Sequence, residues 1–145
     1  MSTEPRPLWQ PSAATINEAR ITEFKHKVEA DWGVSLTDTR ALWQFSVTEL
    51  EKFWDSVWDY AEIIAETKGD RVLVDGDKMP GAKWYPDVRL NFAENLLRRR
   101  DGGEAMVFQG EDKVTRRLSF NDVYDQVSLY AQMLKGMGVG VGDRV

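Results

Sequence analysis

The residues that could do chemistry are scattered and short of partners. The tail GMGVGVGDRV places glycines at 136, 138, 140 and 142, and glycines let backbone amides approach a phosphate. A dinucleotide loop needs another glycine where Val141 or Asp143 stands, and a Walker loop needs Gly-Lys-Ser/Thr, which is absent. These glycines also come after a helical pattern and precede a strand-like one, the reverse of the order that points amides at an anion. A helix stop and a tight turn account for them. Asp75-Gly76-Asp77 has the first acids of a calcium loop but not the third, nor the glycine spacing or closing Glu, so a plain turn is expected. His26, the sole histidine, stands between Lys25 and Lys27 with no converging acid or nucleophile in the local sequence, and reads as solvated. No Ser/His/Asp, Cys/His or HExxH pattern is visible, and none of the acidic pairs has a distinctive apolar setting. No residue is assigned a catalytic, cofactor-binding or metal-binding role.

Two further features are weighed between chemistry and architecture. Trp54 and Trp58 lie one helical turn apart and could form an aromatic ligand platform, but that spacing equally describes a core face, which is the expectation. Arg98-Arg99-Arg100 could be a basic patch; a cationic last helical turn complementing the helix dipole is the simpler reading.

The elements that must hold these residues can be read from periodicity. Residues 1–12 carry three of the five prolines and form a loosely held arm, with Leu8 and Trp9 as its candidate anchors. From about Ala13 to Trp32 the pattern is helical, with Ile21, Phe24, Val28 and Trp32 on one face and Gly33 as the stop. A connector with a helical turn near Asp38 to Leu42 precedes Ser46-Val47-Thr48-Glu49, which has the form of a capping box. Leu50, Phe53, Trp54, Val57, Trp58, Ala61 and Ile64 then predict the strongest helix, to about Glu66. Residues 67–80 read as a linker with an apolar run at Val72 to Val74.

The stretch GAKWYPDVRLNFAENLLRRR, residues 81–100, joins these helices to a β-hairpin and a last helix. Pro86 disposes Tyr85 to an extended conformation, and Asn91 with Glu94 caps a short helix bearing Phe92, Leu96 and Leu97. Ala105 to Phe108 and Val114 to Phe120 predict the hairpin around Gly110-Glu111-Asp112. Ser119 with Asp122 caps the last helix, whose apolar face holds Phe120, Val123, Val127, Leu134 and Met137 and which stops at Gly138. The final residues, Gly140 to Val145, read as a turn leading into a strand.

Composition bounds the function. The net charge of −5 disfavours nucleic acid or an anionic membrane as the main partner. The absence of cysteine excludes disulfides and thiolate metal sites. No apolar run approaches a membrane span, and residues 1–11 lack a signal-peptide core, so a cytoplasmic location is the default expectation.

Trp84-Tyr85-Pro86, Arg89-Leu90-Asn91-Phe92-Ala93-Glu94-Asn95-Leu96-Leu97, and Met79-Pro80-Gly81-Ala82 ahead of them resemble the acetyl-CoA synthetase group of AMP-forming acid-CoA ligases. Pro7-Leu8-Trp9, Leu42-Trp43 with Phe45-Ser46, Phe53-Trp54 with Val57-Trp58, and Leu118-Ser119-Phe120 to Gly142-Asp143-Arg144-Val145 resemble the same group in order. The last of these is common to the whole adenylate-forming superfamily; the 79–97 stretch is the more discriminating. The resemblance implies an α/β fold for the parent enzyme, of which this chain would be a mostly helical N-terminal piece with one β-hairpin. It implies a flexible arm over 1–12, an N-terminal helical region over 13–100, and the truncated beginning of the AMP-binding domain over 101–145.

It also implies ATP, Mg2+ and coenzyme A as the parent's cofactors, with acetoacetate or another short carboxylic acid as substrate and the remainder of the same polypeptide as partner. Such an enzyme makes an acyl-adenylate, then passes the acyl group to the thiol of coenzyme A. The family's phosphate loop, ribose-binding acid and catalytic lysine would all lie downstream of Val145, and this chain alone is expected to be inactive. The alternatives are an acetate or propionate ligase of the same group, and a free-standing helical binding module with Trp54, Trp58 and Trp84 around a groove.

Overall fold

The computed structural model describes residues 8–145. They form two compact units that part between Arg89 and Leu90. The first is helical with a small two-stranded ladder, and the second combines a hairpin with two helices. The expectation of a single hairpin is therefore corrected to two antiparallel pairs. No helix among the described residues is long and apolar enough to cross a membrane.

In the first unit, the helix expected over residues 13–32 is broken in two. Helix α1 (Ala13–Asn17) starts at Ser12, whose side chain accepts from the Thr15 amide, and α2 (Arg20–Trp32) starts after Ala19 takes an extended conformation. The Thr22 hydroxyl donates to the Ile16 carbonyl at 2.6 Å, joining the Ala19 amide on that oxygen and tying α2 back to the end of α1. Gly33 ends α2 with φ of 61°, as its sequence position predicts. Leu8 and Trp9 are exposed and anchor nothing within the described residues; the rest of the proposed arm, residues 1–7, lies outside them.

The capping box expected at Ser46 does not form. Helix α3 (Thr39–Thr48) begins earlier, because the Asp38 side chain accepts from the Ala41 amide at 2.7 Å. Ser46 then falls inside a helix and turns its hydroxyl back to the Trp43 carbonyl. Glu49 joins α3 to α4 (Leu50–Tyr60) with no side-chain cap of its own. Helix α4 stops short of the expected Glu66, because Glu62 swings to φ of 50°. The core lies among α2, α3 and α4: Phe24, Val28, Leu36, Leu42 and Phe45 are buried, with Phe53, Val57 and Tyr60 packed on them. Phe24 meets Phe53 edge-on at 5.7 Å, a favoured aromatic geometry.

Helix α2 also ties down the loop after it. The Leu36 amide donates to Glu29 and the Leu36 carbonyl accepts from Lys25, so both of its backbone groups are satisfied while its side chain is buried. That amide hydrogen bond, with a second from His26, holds the Glu29 carboxyl below its ordinary range.

Residues 67–89, expected to be a linker and an extended arm, are a closed finger. Strand β1 (Leu73–Val74) pairs with β2 (Lys83–Trp84) in the register Leu73 to Trp84. A bridge between Thr67 and Arg89 shuts the base, and Arg71 grips both carboxylate oxygens of Asp87 at 2.7 and 2.5 Å. Gly69 (φ of 76°) lies so close to this pair that a Cβ on it would come within 2.6 Å of the Asp87 Cβ. Tyr85, expected to be extended ahead of Pro86, instead has φ of 43°.

In the second unit, α5 (Phe92–Leu96) is capped as the sequence indicates, the Asn91 side chain accepting from the Ala93 and Glu94 amides. Strands β3 (Glu104–Gly110) and β4 (Val114–Ser119) form the expected hairpin, with an irregularity between Glu104 and Met106. Ser119 and Asp122 complete the capping box of α6 (Phe120–Gly136), and Gly138 comes next at φ of 84°. Gly140 to Asp143 make a turn, but no strand comes after it among the described residues. Nothing in this unit is fully buried. Leu96, Leu97, Ala105, Phe120, Val123 and Val127 line an apolar cleft of about 310 Å³.

Candidate functional site

The densest array of chemically capable groups lies where the finger meets α4. Trp54, Asp55, Trp58 and Asp59 share one side of that helix, as residues one turn apart must. Trp84 and Tyr85 come down on them because β2 delivers two successive aromatics just before Pro86. Trp84 meets Trp54 at 5.7 Å, and Tyr85 lies against Trp58 at 4.8 Å. Lys68, at the root of the finger, reaches Asp55 at 2.7 Å and Asp59 at 3.2 Å, with its ammonium 5.5 Å above the Trp58 ring.

Trp54 and Trp58 are thus corrected from core residues to a contact surface: Trp54 is 43% exposed and Trp58 half-buried. Helical spacing showed which side of α4 they share but not that the true core would take Phe53 and Val57 instead.

The electrostatics of the array favour a clamp over a catalyst. Burial works against the charge on Lys68, yet the hydrogen bonds it donates to Asp55 and Asp59 outweigh it and raise its pKa, so it stays an ammonium. Burial, then the charge of Asp55, pushes the Tyr85 hydroxyl up to about 12. A general base or nucleophile near neutral pH needs shifts in the opposite direction. The Tyr85 hydroxyl is enclosed and has no hydrogen-bond partner among the described residues.

The other features singled out in the sequence are dispersed. His26 is exposed and bonded to Glu29 at 2.9 Å. Asp75 pairs with Lys78, and no group of three or more His, Asp or Glu among the described residues is placed to hold a metal ion. The tail glycines make a turn closed by Asp143, whose carboxylate accepts from the Gly140 amide at 2.7 Å, leaving an acid where a phosphate loop would present free amides. Arg98–Arg100 are not a last helical turn, since α5 ends at Leu96. Arg99 and Arg100 stack instead on Phe120 and Tyr124 of α6. The sequence carries no local signal for those pairings, which depend on how α6 returns past the end of α5.

Comparison with known proteins finds relatives of this arrangement. Residues 39–96, which run from α3 through the finger to α5, match the family described as acetyl-coenzyme A synthetase N-terminus. Over nearly its whole length the chain is also similar to acetoacetyl-CoA synthetases. It is 42% identical to the Rhizobium meliloti (strain 1021) protein over 97% of this chain and 21% of the relative. With the Gallus gallus protein it is 29% identical over 100% of this chain and 23% of the relative. A solved acetoacetyl-CoA synthetase from Streptomyces lividans superposes with a TM-score of 0.85 at 37% identity, covering 97% of this chain and 22% of that one. The chain therefore spans about a fifth of the length of the synthetases it matches. The finger and its aromatic clamp fall inside the matched segment, whereas β3, β4 and α6 lie beyond it.

Proposed function

We propose that this chain is the N-terminal portion of an AMP-forming acetoacetate-CoA ligase. In that role it builds the scaffold of a synthetase and supplies no reacting group. The observation that carries the reading is the similarity over 97% of the chain to acetoacetyl-CoA synthetases, with a solved one superposing at a TM-score of 0.85. The parent would use ATP and Mg2+ to make an acetoacetyl-adenylate, then transfer the acyl group to coenzyme A, in the cytoplasm and toward ketone-body and lipid metabolism. Residues 13–100 would be the N-terminal helical region, and residues 101–145 the start of the AMP-binding domain.

A segment swap tests this. The corresponding fifth of the Rhizobium meliloti synthetase is replaced by this chain, and acetoacetyl-CoA formation is measured with acetoacetate, ATP and coenzyme A. A chimaera turning over within roughly tenfold of the parent, a loss of about 1.4 kcal/mol in transition-state stabilisation, supports the reading. A chimaera that folds but makes no acyl-adenylate overturns it.

A second reading, a binding module built around Trp54 and Trp84, draws on their exposure of 43% and 41%. Fluorescence titration separates the two, because a module would show ligand-dependent protection of these tryptophans from acrylamide in the isolated chain.

A further inference from the structure

The finger over residues 67–89 is complete in itself. Among the described residues its backbone hydrogen bonds run within it, from Tyr85 to Val72, from Ala82 to Lys78, from Val88 to Tyr85 and between Thr67 and Arg89. The Arg71 to Asp87 pair ties its two limbs together. None of its residues is among the buried core positions of the first unit, Phe24, Val28, Leu36, Leu42 and Phe45.

Its hold on α4 is through side chains. Trp84 meets Trp54 while both indoles stay exposed, Tyr85 rests on Trp58, and Lys68 spans Asp55 and Asp59. Val72 and Leu73 line, with Trp32, Leu50 and Lys52, a cleft of about 530 Å³, so part of the finger stands off the helices. Seating the finger also has a cost at Tyr85. Its hydroxyl is enclosed and unpartnered among the described residues, so it gives up water without gaining a hydrogen bond.

We propose that the finger is a flap, which swings off α4 as one body while the three-helix core stays folded, and that Lys68 is its latch. A segment that keeps its own hydrogen bonds, and gives up exposed aromatic contacts and a partly exposed ion pair, opens at lower cost than the core beside it. Opening returns the Tyr85 hydroxyl to water and uncovers the side of α4 that bears Trp54, Asp55, Trp58 and Asp59. Residues 61–66, between α4 and the bridged base, form the strap on which the flap turns. This motion goes beyond the synthetase reading and belongs to the chain by itself.

The chain grown with 5-fluorotryptophan gives one 19F signal for each of its six tryptophans, assigned by single Trp→Phe changes and followed in urea. Trp32, whose indole donates to the buried Ser56 of α4, reports the core. Trp54, Trp58 and Trp84 report the seat of the finger, and they should reach solvent-exposed positions at lower urea than Trp32 does. Lys68→Met, which keeps the stem and loses the ammonium, should lower the ratio of seated to open finger about three- to tenfold and move the Trp32 transition far less. Tyr85→Phe, which removes the unpartnered hydroxyl, should raise that ratio. A single transition shared by all four tryptophans in the unaltered chain and in Lys68→Met would overturn the proposal. So would an unchanged ratio in Lys68→Met, or a Trp32 transition that falls as far as those of the seat.

Discussion

Gly69 and Gly33 both adopt left-handed backbone conformations, yet the structure gives them different tolerances for a methyl group. At Gly33 (φ of 61°) a Cβ would meet nothing within 4 Å. Gly33→Ala therefore incurs only the backbone cost of a left-handed alanine, roughly 1–2 kcal/mol. At Gly69 (φ of 76°) the same Cβ would lie 2.6 Å from the Asp87 Cβ, far inside the ~3.5–4.0 Å of a carbon–carbon contact. Asp87 cannot simply rotate away, because the atom struck is its own Cβ and its carboxylate is gripped by Arg71. Overpacking of this kind adds about 1–3 kcal/mol, so Gly69→Ala should cost about 2–5 kcal/mol in all. All six tryptophans lie at or before Trp84, so urea unfolding followed by tryptophan fluorescence reports the first unit without interference from the second. Equal losses for the two variants would refute the reasoning, because they would mean that the finger does not hold Gly69 against Asp87.

Three other outcomes are expected. Asn91→Ala should lower stability by about 1 kcal/mol through loss of the α5 cap, read as faster amide exchange at Ala93 and Glu94; unchanged exchange would show that the cap does not form in solution. Tyr85→Phe should leave urea stability unchanged or raise it, since the hydroxyl it removes is enclosed and unpartnered among the described residues; a clear loss would reveal a bond to that oxygen. The third outcome concerns acid. Hydrogen bonds from Arg71, aided by its charge, hold the Asp87 carboxyl below its ordinary 3.8. A carboxyl with a lowered folded-state pKa contributes stability above its unfolded value and loses it as pH falls through the folded one. The Arg71 to Asp87 contribution should therefore be full at about pH 5 and above and fade below about pH 4. Asp87→Asn should flatten that part of the urea-midpoint curve against pH; a superimposable curve would exclude the pair as a source of acid sensitivity.

Legibility in the sequence tracked the range of the interactions. The Asn91 cap, the Ser119 to Asp122 box, the β3–β4 hairpin and the Gly33 and Gly138 stops are set by residues within a few positions of one another, and each stands in the structure. Ser46 to Glu49 had the right letters, but Asp38 nucleated a helix upstream, and a helix already running makes an internal cap redundant. The β1–β2 ladder has two residues per strand and is fixed by the Arg71 to Asp87 pair and the Thr67 to Arg89 bridge. Local periodicity cannot register such contacts. The aromatic clamp was half visible: Trp54 and Trp58 share a helix side in any reading, but their partners Trp84 and Tyr85 arrive from a turn whose left-handed Tyr85 runs against the usual influence of Pro86.

Because Thr67 and Arg89 are bridged, the finger leaves and rejoins the chain at nearly the same place, and its length is decoupled from everything outside it. Residues added at its tip, between Asp75 and Lys78, lengthen a loop whose closure cost grows only with the logarithm of its size, by about 0.6 kcal/mol for each doubling. The tip is thus a natural port for grafting a foreign peptide or a fluorophore, whereas an insertion at Gly69 or Asp87 would open the base.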